Sequence, residues 1–294
     1  MNHNIQGVGV ALVTPFDADG AVDYEALGRL VDHVSAGGVD YLVALGTTAE
    51  TPTLTAQEQH EVTDFIRTRN TAGLPLIVGI GGNSTAEVIR RIGSADLTAT
   101  TAILSVTPYY NKPSQRGLYE HYKAIAEASP VPVLLYNVPG RTGVNMTADT
   151  TLKLAHEVGN LLGIKEACGS LSQMCYLLRD RPEGFLVISG DDNMALPLIA
   201  HGGDGVISVA ANAFPAVFVK MVRAAYDGDM KTASALHLRT LEAVDALFAE
   251  GNPTGIKAAL AAKGMIGNYL RLPLVPASDA LSDRFRKLIA QYDL

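Results

Sequence analysis

The sequence has little cysteine, no tryptophan and no basic run. Its 294 residues include only Cys168 and Cys175, which are too few for a disulfide framework and do not form a CxxC pair. We therefore expect both thiols to be reduced packing residues. The net charge of −7 is accompanied by neither a basic segment nor an interleaved aromatic stripe, which argues against nucleic acid as a partner. A small metabolite is the expected ligand.

Signatures of membranes and of metal sites are lacking as well. The N-terminal MNHNIQ has neither the charged segment nor the apolar stretch of a signal peptide, and no apolar run approaches the roughly 18 residues that cross a bilayer. We expect a cytoplasmic protein without membrane contact. His60 and His156 each begin only HEV instead of HExxH, and the histidines show no ligand spacing, so no metal is expected.

The sequence does contain a regular alternation of strand-like and helix-like segments. Apolar residues make up 48% and charged residues 18% of the chain, as in a compact globular protein. Short apolar runs recur at 8–16, 41–46, 75–82, 102–110, 131–139, 161–167, 185–192 and 205–212. Between most of them, apolar residues return every three or four positions, as in YEALGRLVDHVSAGG and AQEQHEVTDFIRTRN. Strand followed by helix, repeated, predicts parallel strands joined by right-handed crossovers.

Eight such units predict a (β/α)₈ barrel. Strands that are apolar on both faces are covered on both sides, and an eightfold repeat achieves this most simply by closing on itself. A doubly wound open sheet is the alternative, but the glycine fingerprint of that fold is incomplete, with Leu12 in GVGVAL and Ser84 in GIGGNS. Helical patterns alone follow residue 213. We therefore predict a catalytic barrel over 1–213 and a C-terminal helical extension over 214–294.

A lysine interrupts one of the predicted strands. Lys165 lies in the apolar run NLLGIKEACGS, where an unpaired ammonium group is costly. Alternation along the strand sends its neighbour Glu166 to the opposite face. A lysine facing the barrel lumen is desolvated, which favours the neutral amine that attacks ketones to form a Schiff base. The alternatives are pairing with Glu166 or an exit of the side chain to water.

Other polar residues close the apolar runs, where the active site of a (β/α)₈ barrel lies. They bring hydroxyl groups, a guanidinium group and acidic groups to one end of the barrel: Thr47, Thr48, Asn83, Thr107, Tyr109, Tyr110, Tyr136, Arg141, Ser189 and Asp191. Each has a structural interpretation too. The tyrosines can be packing residues, Thr47 and Thr48 a helix cap, Arg141 a solvated charge, and the acidic residues of SGDD a cap or a metal patch. GIGGNST resembles a phosphate loop but lacks its spacing, and a turn capped by Ser84 or Thr85 is favoured.

Several of these motifs occur in a fixed order along the chain. They are GTTAE (46–50), VTPYYNKPSQRGLYEHY (106–122), YNVPGRTG (136–143), GIKEA (163–167), SGDD (189–192) and GVISVAAN (205–212). This series closely resembles the dihydrodipicolinate synthase family of Schiff-base (class I) aldolases, which is related to N-acetylneuraminate lyase. The resemblance extends from about residue 5 into the C-terminal helices, and YNVPGRTG and GIKEA are its most specific parts.

The resemblance implies a reaction and its residues. The reaction is condensation of pyruvate with aspartate 4-semialdehyde to 4-hydroxy-tetrahydrodipicolinate, the first committed step of the diaminopimelate and lysine pathway, with no cofactor. Lys165 would form the imine, and Thr47, Tyr136 and Tyr110 would relay protons, with Tyr110 reaching into a neighbouring subunit. Thr47 and Thr48 would bind the pyruvate carboxylate, and Arg141 would bind the aldehyde substrate. Gly190 and Ile207 would lie beside the lysine. A homotetramer built as a dimer of dimers is implied as well.

Departures from the family pattern affect one turn and a candidate effector site. Ala49 replaces the glycine of GTTGE, which is tolerable only if that position has no positive φ angle. Asn83, Glu87 and Tyr109 match the pattern that binds lysine as an inhibitor. Ala56 and Gln59 stand where lysine-inhibited members commonly carry histidines. The sequence therefore leaves inhibition by lysine open.

Two other functions remain as alternatives. A related pyruvate-dependent aldolase or lyase would act on a keto-sugar acid or on another aldehyde. Thr48 and Arg141 favour a small anionic aldehyde, since neuraminate lyases usually carry serine in place of the second threonine and lack the arginine. A catalytically silent barrel that binds a metabolite is the second alternative, and it is disfavoured because all matched catalytic positions are filled.

Overall fold

The structure is a computed structural model that describes residues 5–292. The described part excludes residues 1–4 and 293–294. Most of the N-terminal segment MNHNIQ and the outer ends of both predicted domains therefore lie outside it. Eight parallel strands close in the order β1 to β8, and the predicted (β/α)₈ barrel is confirmed. The strands are β1 Gly7–Ala11, β2 Tyr41–Ala44, β3 Leu76–Gly79, β4 Ala102–Val106, β5 Val133–Asn137, β6 Leu161–Glu166, β7 Leu186–Ser189 and β8 Gly205–Ser208.

Every predicted apolar run overlaps one strand, and all but the first run contain the strand completely, since β1 begins one residue earlier at Gly7. Most of the runs continue past the carboxyl end of their strand, because the residues that follow are buried in loops and short turns at that end of the barrel. Burial alone therefore does not mark where a strand stops. The strands themselves are buried almost throughout, which accounts for apolar runs without alternation.

Helices follow the strands as predicted and then continue alone. They are α1 Tyr24–Ala36, α2 Ala56–Arg69, α3 Thr85–Ser94, α4 Gln115–Ala128, α5 Pro139–Thr142, α6 Ala148–Glu157, α7 Leu171–Asp180, α8 Ala195–Ala200, α9 Pro215–Tyr226, α10 Met230–Phe248, α11 Thr254–Ala262 and α12 Asp279–Tyr292. In the described chain, no strand follows β8. The boundary predicted at residue 213 falls just before α9, and the division into barrel and extension stays a prediction.

Side-chain caps define where several helices begin. Thr55 and Glu58 form a reciprocal capping box at α2, and the hydroxyl of Ser84 accepts from the backbone of Glu87 at α3. The predicted turn capped by Ser84 is thus present. Such a cap stabilises a helix by about 1 kcal/mol, because it satisfies a backbone N–H that the helix itself leaves unpaired.

The chain forms two compact units. One contains Leu76–Ile207 with the described residues 5 and 6, and the other contains Gly7–Pro75 with the residues from Ser208 onward. In the first unit, the carboxylate of Asp204 accepts from the backbone N–H of Val187 and pairs with Arg181. In the second, Asn212 donates to the carbonyl of Ala11 on β1. Across residues 5–292, no helix is long and apolar enough to span a bilayer.

Candidate functional site

Parallel pairing of β5 with β6 places Tyr136 beside Lys165. The two residues are partners in the register of these strands, and Nζ of Lys165 lies 4.3 Å from the centroid of the Tyr136 ring. Lys165 is only 5% exposed and Tyr136 only 6%. The structure therefore brings the predicted nucleophile and the predicted proton donor together on the inward face of the barrel.

The amine of Lys165 is not paired with an acid. Within the described residues, no carboxylate lies within the 4.0 Å of Nζ that defines an ion pair. Glu166 follows it immediately but turns to the outer face of β6, as alternation along the strand predicts. Of the alternatives for Lys165, pairing with Glu166 and an exit to water are both wrong. The amine of Lys165 is instead buried against the face of the Tyr136 ring.

Glu166 has its own buried network on the outer face. Its carboxylate accepts from Nδ2 of Asn137 at 2.9 Å, from Nε2 of Gln173 at 2.9 Å and from the backbone N–H of Cys168 at 2.9 Å. Burial raises the pKa of Glu166, while these donors oppose that rise. Asn137 in turn receives the backbone N–H of Met146 at 2.9 Å. The network therefore joins the ends of β5 and β6 to the segment after α5.

Gly190 allows the backbone after β7 to approach the lysine. A Cβ atom at this position would lie 2.9 Å from Cε of Lys165 and 2.8 Å from Cβ of Ala167. No side chain fits there, so the backbone itself lines the lysine. Ile207, the other residue predicted to lie beside the lysine, is fully buried on β8.

Arg141 lies on the short helix α5 directly after β5. The helix begins at Pro139 and ends where Gly143 adopts a φ of 72°. Thr142 anchors it, since its hydroxyl lies 2.9 Å from the carbonyl of Val144 and 3.4 Å from Oγ1 of Thr107. Arg141 itself is exposed at the surface, with its guanidinium group carried by a tightly held turn.

Thr47 and Thr48 begin a 3₁₀ turn, Thr47–Ala49, after β2 in the second unit. Thr48 is only 2% exposed, and its hydroxyl accepts from Nδ2 of Asn252 at 3.0 Å. Positive φ angles occur at Leu45 and Glu50, while Ala49 lies in the turn without one. The alanine in GTTAE therefore does not strain the backbone, which answers the question that the sequence raised.

Tyr110 is a strongly exposed residue among the predicted site residues. It is 89% exposed, with a φ angle of 72°, in the loop between β4 and α4. Neighbouring Tyr109 is 43% exposed, and its carbonyl accepts from Nδ2 of Asn83 at 3.1 Å. Glu87 pairs with Arg90 at 2.6 Å on the surface of α3. Asn83 and Tyr109 are thus in contact, and Glu87 lies one turn along the helix from the Ser84 cap.

One prominent feature was missed by the sequence analysis. Lys257 on α11 is completely buried, and its Nζ lies 2.5 Å from Oε1 of Glu50, the last residue of GTTAE. The signal was present in TGIKAALAA, where a lysine interrupts an apolar run just as Lys165 does. Its partner could not be found from spacing, because the two residues are far apart in the chain.

Neither cysteine of the described chain forms a disulfide. Both are free thiols and half-buried. Burial, followed by the charge of Glu166, raises the pKa of Cys168 to about 12. The thiol therefore stays protonated near neutral pH, consistent with a packing residue.

The fold and these residues define a class of protein. It is a (β/α)₈ barrel in which a buried lysine near the end of β6 packs against a tyrosine ring and is not paired with a described carboxylate. The sequence profile of the Dihydrodipicolinate synthetase family matches residues 4–292. The chain belongs to this family.

Individual relatives cover the chain almost completely. A protein of Parabacteroides distasonis named 4-hydroxy-tetrahydrodipicolinate synthase is 50% identical over 99% of this chain and 98% of its own length. The structure of a chloride-inhibited dihydrodipicolinate synthase of Acinetobacter baumannii complexed with pyruvate matches with a TM-score of 0.95 and 41% identity over 98% of this chain and 99% of its own. A lysine-bound structure from Cyanidioschyzon merolae has a TM-score of 0.94 and 38% identity, covering 99% of both chains.

Proposed function

We propose that this chain condenses pyruvate with aspartate 4-semialdehyde to 4-hydroxy-tetrahydrodipicolinate. The observation that carries the proposal is the amine of Lys165, which is buried 4.3 Å over the ring of Tyr136 with no described carboxylate pairing with it. An amine held in this position inside the barrel can attack the carbonyl carbon of a bound keto acid. The names of the full-length relatives support the same reaction.

The first half of the reaction forms the imine. Nζ of Lys165 attacks the keto carbon of pyruvate to give a carbinolamine, while its proton leaves through the hydroxyl of Tyr136. The same relay, with Thr47 and Tyr110 as further members, returns a proton to the departing hydroxyl group, and water is lost. Thr47 and Thr48 hold the carboxylate, and Gly190 and Ile207 line the lysine.

The second half forms the carbon–carbon bond and releases the enzyme. Loss of a methyl proton converts the imine to an enamine, whose carbon adds to the aldehyde of the second substrate. Arg141 binds the carboxylate of that substrate, since a planar guanidinium group suits a planar anion. The substrate amine then attacks the imine carbon and displaces Lys165, which closes the ring. No cofactor enters any step.

We further propose that the active form is an oligomer, a homotetramer built from dimers. Tyr110 supports this assembly, because a relay residue that is 89% exposed needs a surface from a second copy to be shielded from water. Both substrates are small molecules. The cytoplasmic location stays a prediction from the sequence.

A third proposal concerns lysine. Asn83, Glu87 and Tyr109 form a candidate effector site, supported by the contact between Asn83 and Tyr109. The lysine-bound relative makes the amino acid a reasonable probe. Turnover measured with and without added lysine tests the site, and the variant Glu87→Gln should weaken any inhibition if the carboxylate binds the effector.

Reductive trapping tests the main proposal. Treatment with pyruvate and borohydride should add the mass of the reduced pyruvate adduct to the peptide that contains Lys165, and Lys165→Ala should abolish the addition. Lys153→Ala provides a matched control, since Lys153 is an exposed lysine on α6 with no part in the proposed reaction. No adduct on Lys165, or turnover of a keto-sugar acid in place of aspartate semialdehyde, would contradict the proposal.

A further inference from the structure

The turn that carries Thr47 and Thr48 is bounded by two unfavourable backbone conformations. Leu45 has a φ of 53° and Glu50 a φ of 55°, and both residues have side chains. The left-handed region is disfavoured for such residues because Cβ approaches the following carbonyl. Such backbone conformations are strained, so the geometry of the turn depends on contacts from the surrounding structure.

A buried ion pair holds the end of this turn. Nζ of Lys257 lies 2.5 Å from Oε1 of Glu50, and neither side chain is exposed. The other carboxylate oxygen of Glu50 accepts from the backbone N–H of Arg271 at 3.1 Å. Lys257 also donates to the carbonyl of Tyr269 at 2.9 Å, and its Nζ lies 4.1 Å over the ring of Phe16. Both charges therefore have several partners.

Lys257 has no chemical role of its own in this position. Burial lowers its pKa to about 8, and the charge of Glu50 opposes that effect. The amine is 0% exposed and in direct contact with an acid, so no substrate can reach it. Unlike Lys165, this lysine is paired with an acid. Its contact with Glu50 is the feature to explain.

A second contact from the same segment reaches the turn itself. Asn252, just before α11, donates from Nδ2 to the hydroxyl oxygen of Thr48 at 3.0 Å. Since that oxygen acts as acceptor for the amide, the hydroxyl proton is directed elsewhere and can be donated to an anion. Asn252 and Lys257 therefore contact the hydroxyl group of Thr48 and the carboxylate of Glu50, the residue that follows the turn.

We propose that Asn252, Lys257 and Glu50 are positioning residues for the capture of pyruvate. The buried ion pair and the amide contact hold the Thr47–Thr48 turn in the conformation that binds the pyruvate carboxylate. The inference rests on the proposed function and adds a task for residues 252–257. Only the half-reaction with pyruvate depends on it, because the aldehyde substrate binds at Arg141.

The test compares three variants with the full-length wild-type protein. They are the single variant Lys257→Met, the double variant Glu50→Gln/Lys257→Met and the single variant Asn252→Ala. Each variant should reduce kcat/KM for pyruvate and the rate of borohydride-trapped adduct formation by about 10- to 100-fold, since small misplacements cost this much. The KM for aspartate semialdehyde should stay within about twofold. The double variant should be no worse than Lys257→Met, as expected of residues that act as one unit.

Asp204→Asn is the matched control. Asp204 forms an ion pair with Arg181 before β8, away from the strand ends that carry the site. Loss of the ion pair between Asp204 and Arg181 should lower the melting temperature of the protein without changing how adduct trapping depends on pyruvate concentration. If Lys257→Met fails to fold, the double variant, which leaves no unpaired charge, and Asn252→Ala give the result. Variants with wild-type pyruvate dependence would overturn the inference, whereas a wild-type protein that forms no adduct on Lys165 would overturn the proposed function.

Discussion

At the scale of single residues, burial decides which side chains can take up a proton. His121 on α4 is only 5% exposed, with Nδ1 2.9 Å from Oγ1 of Thr85, and burial lowers its pKa to about 4. In the unfolded chain the same ring takes up a proton near its ordinary pKa of about 6.5. The unfolded state therefore gains protons first as pH falls, and the folded state loses relative stability between those two values.

The histidine prediction follows from this difference. The free energy of unfolding of the wild type should fall by about 2 kcal/mol more than that of His121→Gln between about pH 7 and about pH 5. Denaturant titrations of both proteins at the two pH values measure the difference. Comparing the proteins cancels the contributions of other titrating groups. Parallel pH dependence would show that His121 is protonated in the folded state.

A second prediction at this scale concerns the hydroxyl of Tyr136. Tyr136→Phe keeps the ring beneath Nζ of Lys165 but removes the proton donor. Turnover should fall by about 100-fold or more, as for loss of a general acid or base, with little change in stability. Tyr122→Phe is the control, since its buried hydroxyl donates to the carbonyl of Ser105 and has no part in the proposed relay. Equal turnover in both variants would remove Tyr136 from the mechanism.

At the scale of elements, the buried carboxylate of Glu166 ties β5, β6 and α7 together. Its three donors come from Asn137, Gln173 and Cys168. Because Asn137 also binds the backbone of Met146, the network reaches the segment that follows Arg141. Lys165 and Glu166 thus lie on opposite faces of one strand, with the proposed nucleophile on the inner face and a hydrogen-bonded carboxylate on the outer face.

Glu166→Leu should therefore have two separable effects. It removes the acceptor of the Cys168 N–H and one acceptor each of Asn137 and Gln173, and we expect a loss of about 2 to 4 kcal/mol in the free energy of unfolding. The KM for aspartate semialdehyde should rise, because the segment after Arg141 loosens, while trapping of pyruvate on Lys165 continues. Gln173→Leu removes one donor and keeps the carboxylate, so its effects should be smaller. A larger effect on pyruvate than on the aldehyde would contradict this role.

At the scale of the whole molecule, the exposed Tyr110 makes subunit exchange a direct test of the proposed assembly. If Tyr110 completes the site of a neighbour, Tyr110→Phe and Lys165→Ala damage different subunits of each site. Mixing the two variants under exchange conditions should restore activity to about a quarter of wild type for random dimers, since half are mixed and each mixed dimer has one intact site. Sedimentation measurements supply the oligomeric state. Mixtures no more active than the separate variants would place Tyr110 outside the shared site.

Much of the fold could be predicted from sequence because it depends on local periodicity. Buried strands and amphipathic helices each leave a repeating pattern, and eight strand runs separated by helices leave few ways to pack. The same applies to Lys165, since a lysine in an apolar strand is conspicuous wherever its partners lie. Strand ends were less predictable, because residues beyond them stay buried in the loops.

The sequence by itself determined the barrel, the family and the lysine that the proposed chemistry needs, because these are written in short segments whose residues are neighbours. Only the tertiary structure decided how buried charges are satisfied. It set Tyr136 under Lys165 through strand register, turned Glu166 toward Gln173, and joined Glu50 to Lys257 across the chain. The physical reason is that a buried charge needs a partner in space, and folding alone brings distant residues within reach.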